Sequence, residues 1–134
     1  MIFRFFNGSK YLDDKGDTYF KHDYLEVGAD QVKKNFEKYE VMGPNIKFIK
    51  GYFEESLKNT NVQKLSLLRL DGDMYSSTWH SLVEMYPKVV EGGFIIIDDY
   101  YLKGAKAALK DYFSQNGFNR ELISIDSQSV YFRK

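Results

Sequence analysis

Two apolar runs that end abruptly in carboxylates constrain this chain more than any other feature. The first is Leu67-Leu68-Arg69-Leu70-Asp71-Gly72-Asp73-Met74-Tyr75. The second is Phe94-Ile95-Ile96-Ile97-Asp98-Asp99-Tyr100, with Asp98 placed 27 positions after Asp71. A branched apolar run bounded by polar and turn residues reads as a buried strand. Between the two, Trp79, Leu82, Val83, Tyr86 and Val90 recur at helical spacing. Ser76-Ser77-Thr78 offers capping hydroxyls at the start of that helix, and Pro87 bends or shortens it near its end. Glu91-Gly92-Gly93 reads as the turn into the second strand. Strand, helix, strand makes a βαβ unit whose two strands run parallel. Ligands of open α/β sheets bind at the carboxyl ends of the strands, so Asp71, Asp98 and Asp99 are expected at one edge. Three carboxylates in a small volume repel one another until a cation or protons neutralise them. The pattern predicts a site for a hard metal ion.

The remaining elements extend this unit in both directions. Ile2 to Phe6 reads as a strand, broken by Asn7-Gly8-Ser9, and Lys10 to Asp23 as a polar loop containing His22. Ala29 to Val41 predicts a helix with Val32, Phe36 and Tyr39 on one face and Asp30 near its start. Gly43-Pro44-Asn45 ends it. Ile46 to Ile49 predicts a strand, followed by Gly51-Tyr52-Phe53 and a short helical stretch to about Lys58. A second long helix is expected from Leu102 to about Gln115, stopped by Asn116-Gly117. Leu122-Ile123-Ser124-Ile125 and Val130-Tyr131-Phe132 read as a closing antiparallel hairpin. The fold class is α/β, with a mostly parallel sheet and an antiparallel edge.

The composition excludes several functions. A length of 134 residues suits one domain. Lys+Arg and Asp+Glu both number 19, so the basic excess needed for nucleic acid is missing. There is no cysteine, which excludes disulfides, thiolate metal sites and cysteine nucleophiles. No apolar run approaches the roughly 20 residues of a membrane span, and the start is too short for a signal peptide. A cytoplasmic protein is expected. The 11 Tyr and 11 Phe read as core packing and surface tyrosines, with a ring-lined cleft as the alternative.

The motifs around the carboxylates also carry a family likeness. Leu68 to Thr78, Met85-Tyr86-Pro87-Lys88 and Gly92 to Tyr100 resemble the central segments of the macrocin O-methyltransferase (TylF/NovP/MycF-type) family. Phe48-Ile49-Lys50-Gly51-Tyr52-Phe53 is similar to the segment before them, and Asn7-Gly8 to a Phe-Glu-Gly loop. The resemblance implies a Rossmann-like class I methyltransferase fold that uses S-adenosylmethionine and Mg2+ or a similar divalent cation. It implies a sugar hydroxyl on a small-molecule glycoside as acceptor. It also implies Asp71, Asp98 and Asp99 as metal ligands and Asp71 as general base. Tyr52 and Phe53, after a strand at the carboxyl edge, are the candidates for stacking on the cofactor's adenine, with core packing as the equal alternative.

One part of the family pattern is missing. Class I methyltransferases begin with a strand and an acidic Gly-x-Gly loop, and no Gly-x-Gly occurs here. Leu25-Glu26-Val27-Gly28-Ala29 reads as a chance match, and Arg4 falls where the family has an acidic residue. The whole chain, residues 1–134, is therefore expected to be one N-terminally truncated domain. Loss of a central strand exposes an apolar edge, and self-association as a homo-oligomer is expected to cover it. Two other functions stay open: a catalytically silent remnant that binds metal or a partner chain, and a metal-dependent nucleotide-sugar transferase using Asp71-Gly72-Asp73. Asp73 reads as a helix cap or as a support for the metal ligands. His80 reads as a surface residue, Trp79 as core, Tyr100 and Tyr101 as acceptor walls or packing, and Lys103, Lys106 and Lys110 as a solvated helix face.

Overall fold

The computed structural model describes residues 2–3, 14–16 and 28–134. Its elements in chain order are β1 (Ile2–Phe3), α1 (Ala29–Lys38), β2 (Ile49–Lys50), α2 (Phe53–Ser56) and β3 (Leu65–Leu70). There follow α3 (Tyr75–Met85), a 3-10 turn at Tyr86–Lys88, β4 (Val89–Ile97), α4 (Lys103–Asn116), β5 (Ile123–Ser124) and β6 (Val130–Arg133). The expected loop over 10–23, with His22, and the Asn7-Gly8 motif lie outside the described residues.

β3 and β4 pair in parallel, with Leu68 opposite Ile95 and Leu70 opposite Ile97. β6 then pairs antiparallel to β4, and β5 to β6, giving the order β3-β4-β6-β5. β1 and β2 form a separate parallel pair. The sheet is thus mixed, and the closing hairpin forms as its pattern predicts. β2 is shorter than the alternation over 46–49 suggested, and α1 stops at Lys38.

Pleating sends alternate residues to opposite faces. Leu68, Leu70, Ile95, Ile97, Val130 and Phe132 are buried on one face, where α3 and α4 pack with Leu82, Met85, Ala105, Leu109 and Tyr112. The rings of Tyr86, Tyr112, Phe113, Phe118 and Phe132 interlock at the end of this core, with centroids 5.1–6.3 Å apart. Among the described residues, most of the aromatic rings pack in or against this core. α3 gives way to the 3-10 turn at Pro87, which has no N–H to continue the ladder. α4 ends on Gly117 in the left-handed conformation, φ 65°.

Two readings are corrected. Glu91-Gly92-Gly93 is no turn between elements but an irregularity inside β4. Five residues of β4, from Val89 to Phe94, advance against two of β3, from Leu65 to Leu67. Glycine permits this: Gly92 has φ 74°, and a Cβ on Gly93 would lie 2.6 Å from Val89 Cγ1. Nor do Ser76, Ser77 and Thr78 cap α3. The N-cap residue is Met74, with no side-chain hydrogen bond. Instead the carboxylate of Asp14, 5% exposed, accepts from the N–H of Tyr75 at 2.7 Å and of Ser76 at 3.1 Å. An acceptor 61 residues before Tyr75 in sequence leaves no local cue. Asp14→Ala strands these donors at the positive end of the helix and is expected to cost ~1–3 kcal/mol. Thermal unfolding checks it: Asp14→Asn, which keeps one acceptor oxygen, should lose less.

Candidate metal and acceptor site

β3 ends at Leu70 and β4 at Ile97, side by side. The N–H of Asp98 donates to the Leu70 carbonyl at 2.8 Å, so the ladder carries both chains to the same level before they diverge. Asp71 follows β3 directly. The chain then turns tightly at Gly72, where a Cβ would stand 2.7 Å from Ser77 Cβ. Asp73 takes a left-handed φ of 56°, and its N–H donates to Asp99 Oδ2 at 3.1 Å.

This geometry gathers Asp71, Asp73 and Asp99. Each offers a carboxylate oxygen, and the three oxygens lie within 4.8 Å of one another. Asp98 turns to the side. It accepts from Arg69 Nη2 at 2.7 Å and Nε at 3.3 Å, and from the Ser129 hydroxyl at 3.4 Å. Arg69 Nη2 also lies 3.2 Å from Asp71 Oδ2, so it bridges the two carboxylates.

The electrostatics follow from this crowding. Burial pushes the Asp99 carboxyl up to about 7, and the negative charge of Asp73 adds to the shift. Asp71 is raised as well, by burial first and by Asp98 second, against the pull of Arg69. The Arg69 guanidinium is raised by its hydrogen bond to Asp98. Asp73→Asn removes the strongest like charge facing Asp99 and is expected to lower the Asp99 pKa from about 7. Carboxyl 13C titration by NMR reads this directly. An unchanged or higher value would show that Asp73 does not face Asp99.

The other candidates fall at varied distances from this cluster. Tyr52 precedes α2 and is exposed, whereas Phe53 is half-buried against the core. Phe53 and Asp71 both border a cavity of about 520 Å³ along β3. His80 lies 3.4 Å from Glu54 and ties α3 to α2. Trp79 stacks on Tyr75 and packs against the core. Tyr100 is half-buried with Lys106 over its ring, and Tyr101 is half exposed. Asp73, Arg69 and Ser129 are the neighbours that sequence reasoning undervalued. The Asp-Gly-Asp spacing was the available signal for Asp73.

Similarity to known proteins then decides the family. Residues 5–134 match the family described as macrocin O-methyltransferase (TylF). The chain belongs to this family. It is 35% identical over 123 residues to demethyldecarbamoylnovobiocin O-methyltransferase of Streptomyces niveus, covering 91% of this chain and 47% of that protein. It is 36% identical over 109 residues to an enzyme of Streptomyces olivaceus, covering 81% of this chain and 42% of that protein. That enzyme is 8-demethyl-8-(2,3-dimethoxy-alpha-L-rhamnosyl)-tetracenomycin-C 4'-O-methyltransferase. The solved structure of the O-methyltransferase NovP superposes with a TM-score of 0.88 at 34% identity, over 92% of this chain and 52% of that chain. The Rossmann-like class I methyltransferase fold of the TylF family is therefore this chain's fold. The chain spans about half the length of the relatives it matches.

Proposed function

We propose that this chain forms the metal- and acceptor-binding part of an S-adenosylmethionine-dependent O-methyltransferase acting on a sugar hydroxyl of a glycoside. The observation that carries the reading is the carboxylate cluster at the carboxyl ends of two adjacent parallel strands. The relatives' names support the acceptor class, since one of them specifies a rhamnosyl group.

The donor set fits a hard divalent cation. Such ions take carboxylate oxygens at roughly 2.0–2.6 Å, so oxygens within 4.8 Å of one another need little rearrangement to share one. Asp71, Asp73 and Asp99 would hold the ion, and Asp98, the third ligand that the family resemblance implies, would join them by leaving its pairing with Arg69. A bound cation would acidify and orient an acceptor hydroxyl. Asp71 would take the proton of the acceptor hydroxyl, and S-adenosylmethionine, when bound, would supply the methyl group through cleavage of its S–CH3 bond and leave as S-adenosylhomocysteine. The raised pKa of Asp71 brings it closer to the working range of a general base. Arg69 fixes the direction of Asp71, and positioning supplies much of the rate of an in-line transfer. Tyr52 and Phe53 stand just past the carboxyl end of β2, on the side from which a cofactor would approach.

Calorimetric titration of S-adenosylmethionine and S-adenosylhomocysteine, with and without magnesium, tests the reading. Saturable binding of either is the expected result. Magnesium binding alone would favour a silent methyltransferase fold. Binding of a nucleotide sugar in their place would favour the transferase alternative, which the position of Asp73 in the cluster keeps in play.

A further inference from the structure

Arg69 lies on β3 two residues before Asp71, and side chains two apart on a strand share a face. Register sets Arg69 opposite Ile96 of β4. Asp71 and Asp98 each stand two residues beyond that pair, one on each chain. The long Arg69 side chain runs up this face and reaches both carboxylates. It meets Asp98 with two prongs, Nη2 at 2.7 Å and Nε at 3.3 Å, and Asp71 with Nη2 alone at 3.2 Å. Asp98 is thus drawn away from Asp73 and Asp99 by a cation that the protein itself supplies.

The backbone of Asp98 is pinned, but its carboxylate is not. Its N–H donates to the Leu70 carbonyl at 2.8 Å, and its carbonyl accepts from the Ser129 hydroxyl at 3.0 Å. A change of partner needs only rotation about the side-chain bonds. Ions from solution can reach the pair, since the Arg69 side chain is 55% exposed and that of Asp98 30%. A guanidinium and a divalent ion compete for the same oxygens. The guanidinium offers one delocalised charge and a planar fork of donors. The divalent ion offers two charges and gathers more oxygens around itself.

We propose that Arg69 is the counter-cation of the resting site. It holds Asp98 aside until a divalent ion arrives, then gives Asp98 up and keeps Asp71 alone. This rests on the reading of the carboxylate cluster as a metal site. Arg69 is a positioning residue, because it touches the ligands and not the ion. Its charge lowers the affinity of the site for every cation. The exchange favours ions that bring two charges, because a monovalent ion offers Asp98 no more charge than Arg69 already does.

Free Mn2+ followed by electron paramagnetic resonance measures the affinity of the full chain and its variants. Arg69→Gln removes the competing charge and should bind Mn2+ about three- to tenfold more tightly than wild type. Arg69→Lys keeps the charge but offers a point donor in place of a fork, and should fall between the two. Arg120→Gln, which removes an equal charge from an exposed position after α4, should match wild type. In wild type, magnesium should shift the NMR resonance of the Arg69 Nε–H and quicken its exchange with water, along the same saturation curve as the amides of residues 98–100. Circular dichroism checks folding; should Arg69→Gln fail to fold, Arg69→Lys and the wild-type Nε–H resonance still read the exchange. Equal or weaker Mn2+ binding by a folded Arg69→Gln would overturn the proposal and leave the metal site standing. So would an Nε–H resonance that stays unmoved while the ion binds. Absence of Mn2+ binding in wild type and variants alike would overturn both the proposal and the metal site.

Discussion

Magnesium is expected to raise the protein's thermal stability, and Asp99→Asn to abolish that rise and to flatten the stability against pH. Asp99 carries a pKa of about 7 in the folded chain, raised by burial and by Asp73. A carboxyl raised on folding stabilises the fold fully below its unfolded pKa. That contribution is lost as pH rises through the folded value. The cation-free protein should therefore lose stability between about pH 4 and about pH 7. A cation competes with the proton for the same oxygens, so magnesium should raise Tm more at pH 8 than at pH 6. At a hundredfold excess over its dissociation constant, ligand binding contributes about 2.7 kcal/mol, on the order of 10 °C for a chain of this size. In Asp99→Asn the amide oxygen can still accept from the Asp73 N–H, so the turn is kept while the charge is lost. Equal magnesium shifts in wild type and variant, measured by scanning calorimetry, would remove Asp99 from the site.

Phe132→Ala should be the most destabilising single truncation in the sheet. Phe132 is 1% exposed and sits in β6 opposite Ile95. Its ring meets Phe113 edge-on at 5.1 Å and stacks with Tyr86 at 6.3 Å. Truncating a ring so enclosed costs ~3–5 kcal/mol, a large share of the ~5–15 kcal/mol that holds a typical domain. Tyr131→Ala, one residue earlier and on the open face, should cost less than ~1 kcal/mol. Urea denaturation of the two variants measures the asymmetry between the faces. Similar losses would mean that the open face is also a packed core.

The same asymmetry explains what the sequence reveals and what it conceals. β3, α3, β4, α4 and the closing hairpin were legible because their apolar periods are strong and local. The meeting of Asp71 with Asp99 followed from parallel pairing alone. The Gly92-Gly93 irregularity was not legible, since glycine pairs mark turns and bulges alike. The capping of α3 by Asp14 depends on a contact across the fold. The side-chain direction of Asp98 depends on Arg69, two residues before Asp71, and on Ser129 from the far hairpin. Sequence spacing places a backbone at the sheet's edge; competing hydrogen bonds decide where its carboxylate turns.

Site-resolved NMR with substoichiometric Mn2+ tests the central claim most directly, because it needs neither acceptor nor turnover. The account predicts paramagnetic broadening centred on the amides of residues 71–74 and 98–100, reversed by excess magnesium. Asp126 is an internal control. Its carboxylate is held low by the N–H groups of Gln128 and Ser129 in an exposed turn, and its neighbours should stay sharp. Broadening that centres on Asp126, or spreads over every exposed carboxylate alike, would contradict a built cation site at the tips of β3 and β4.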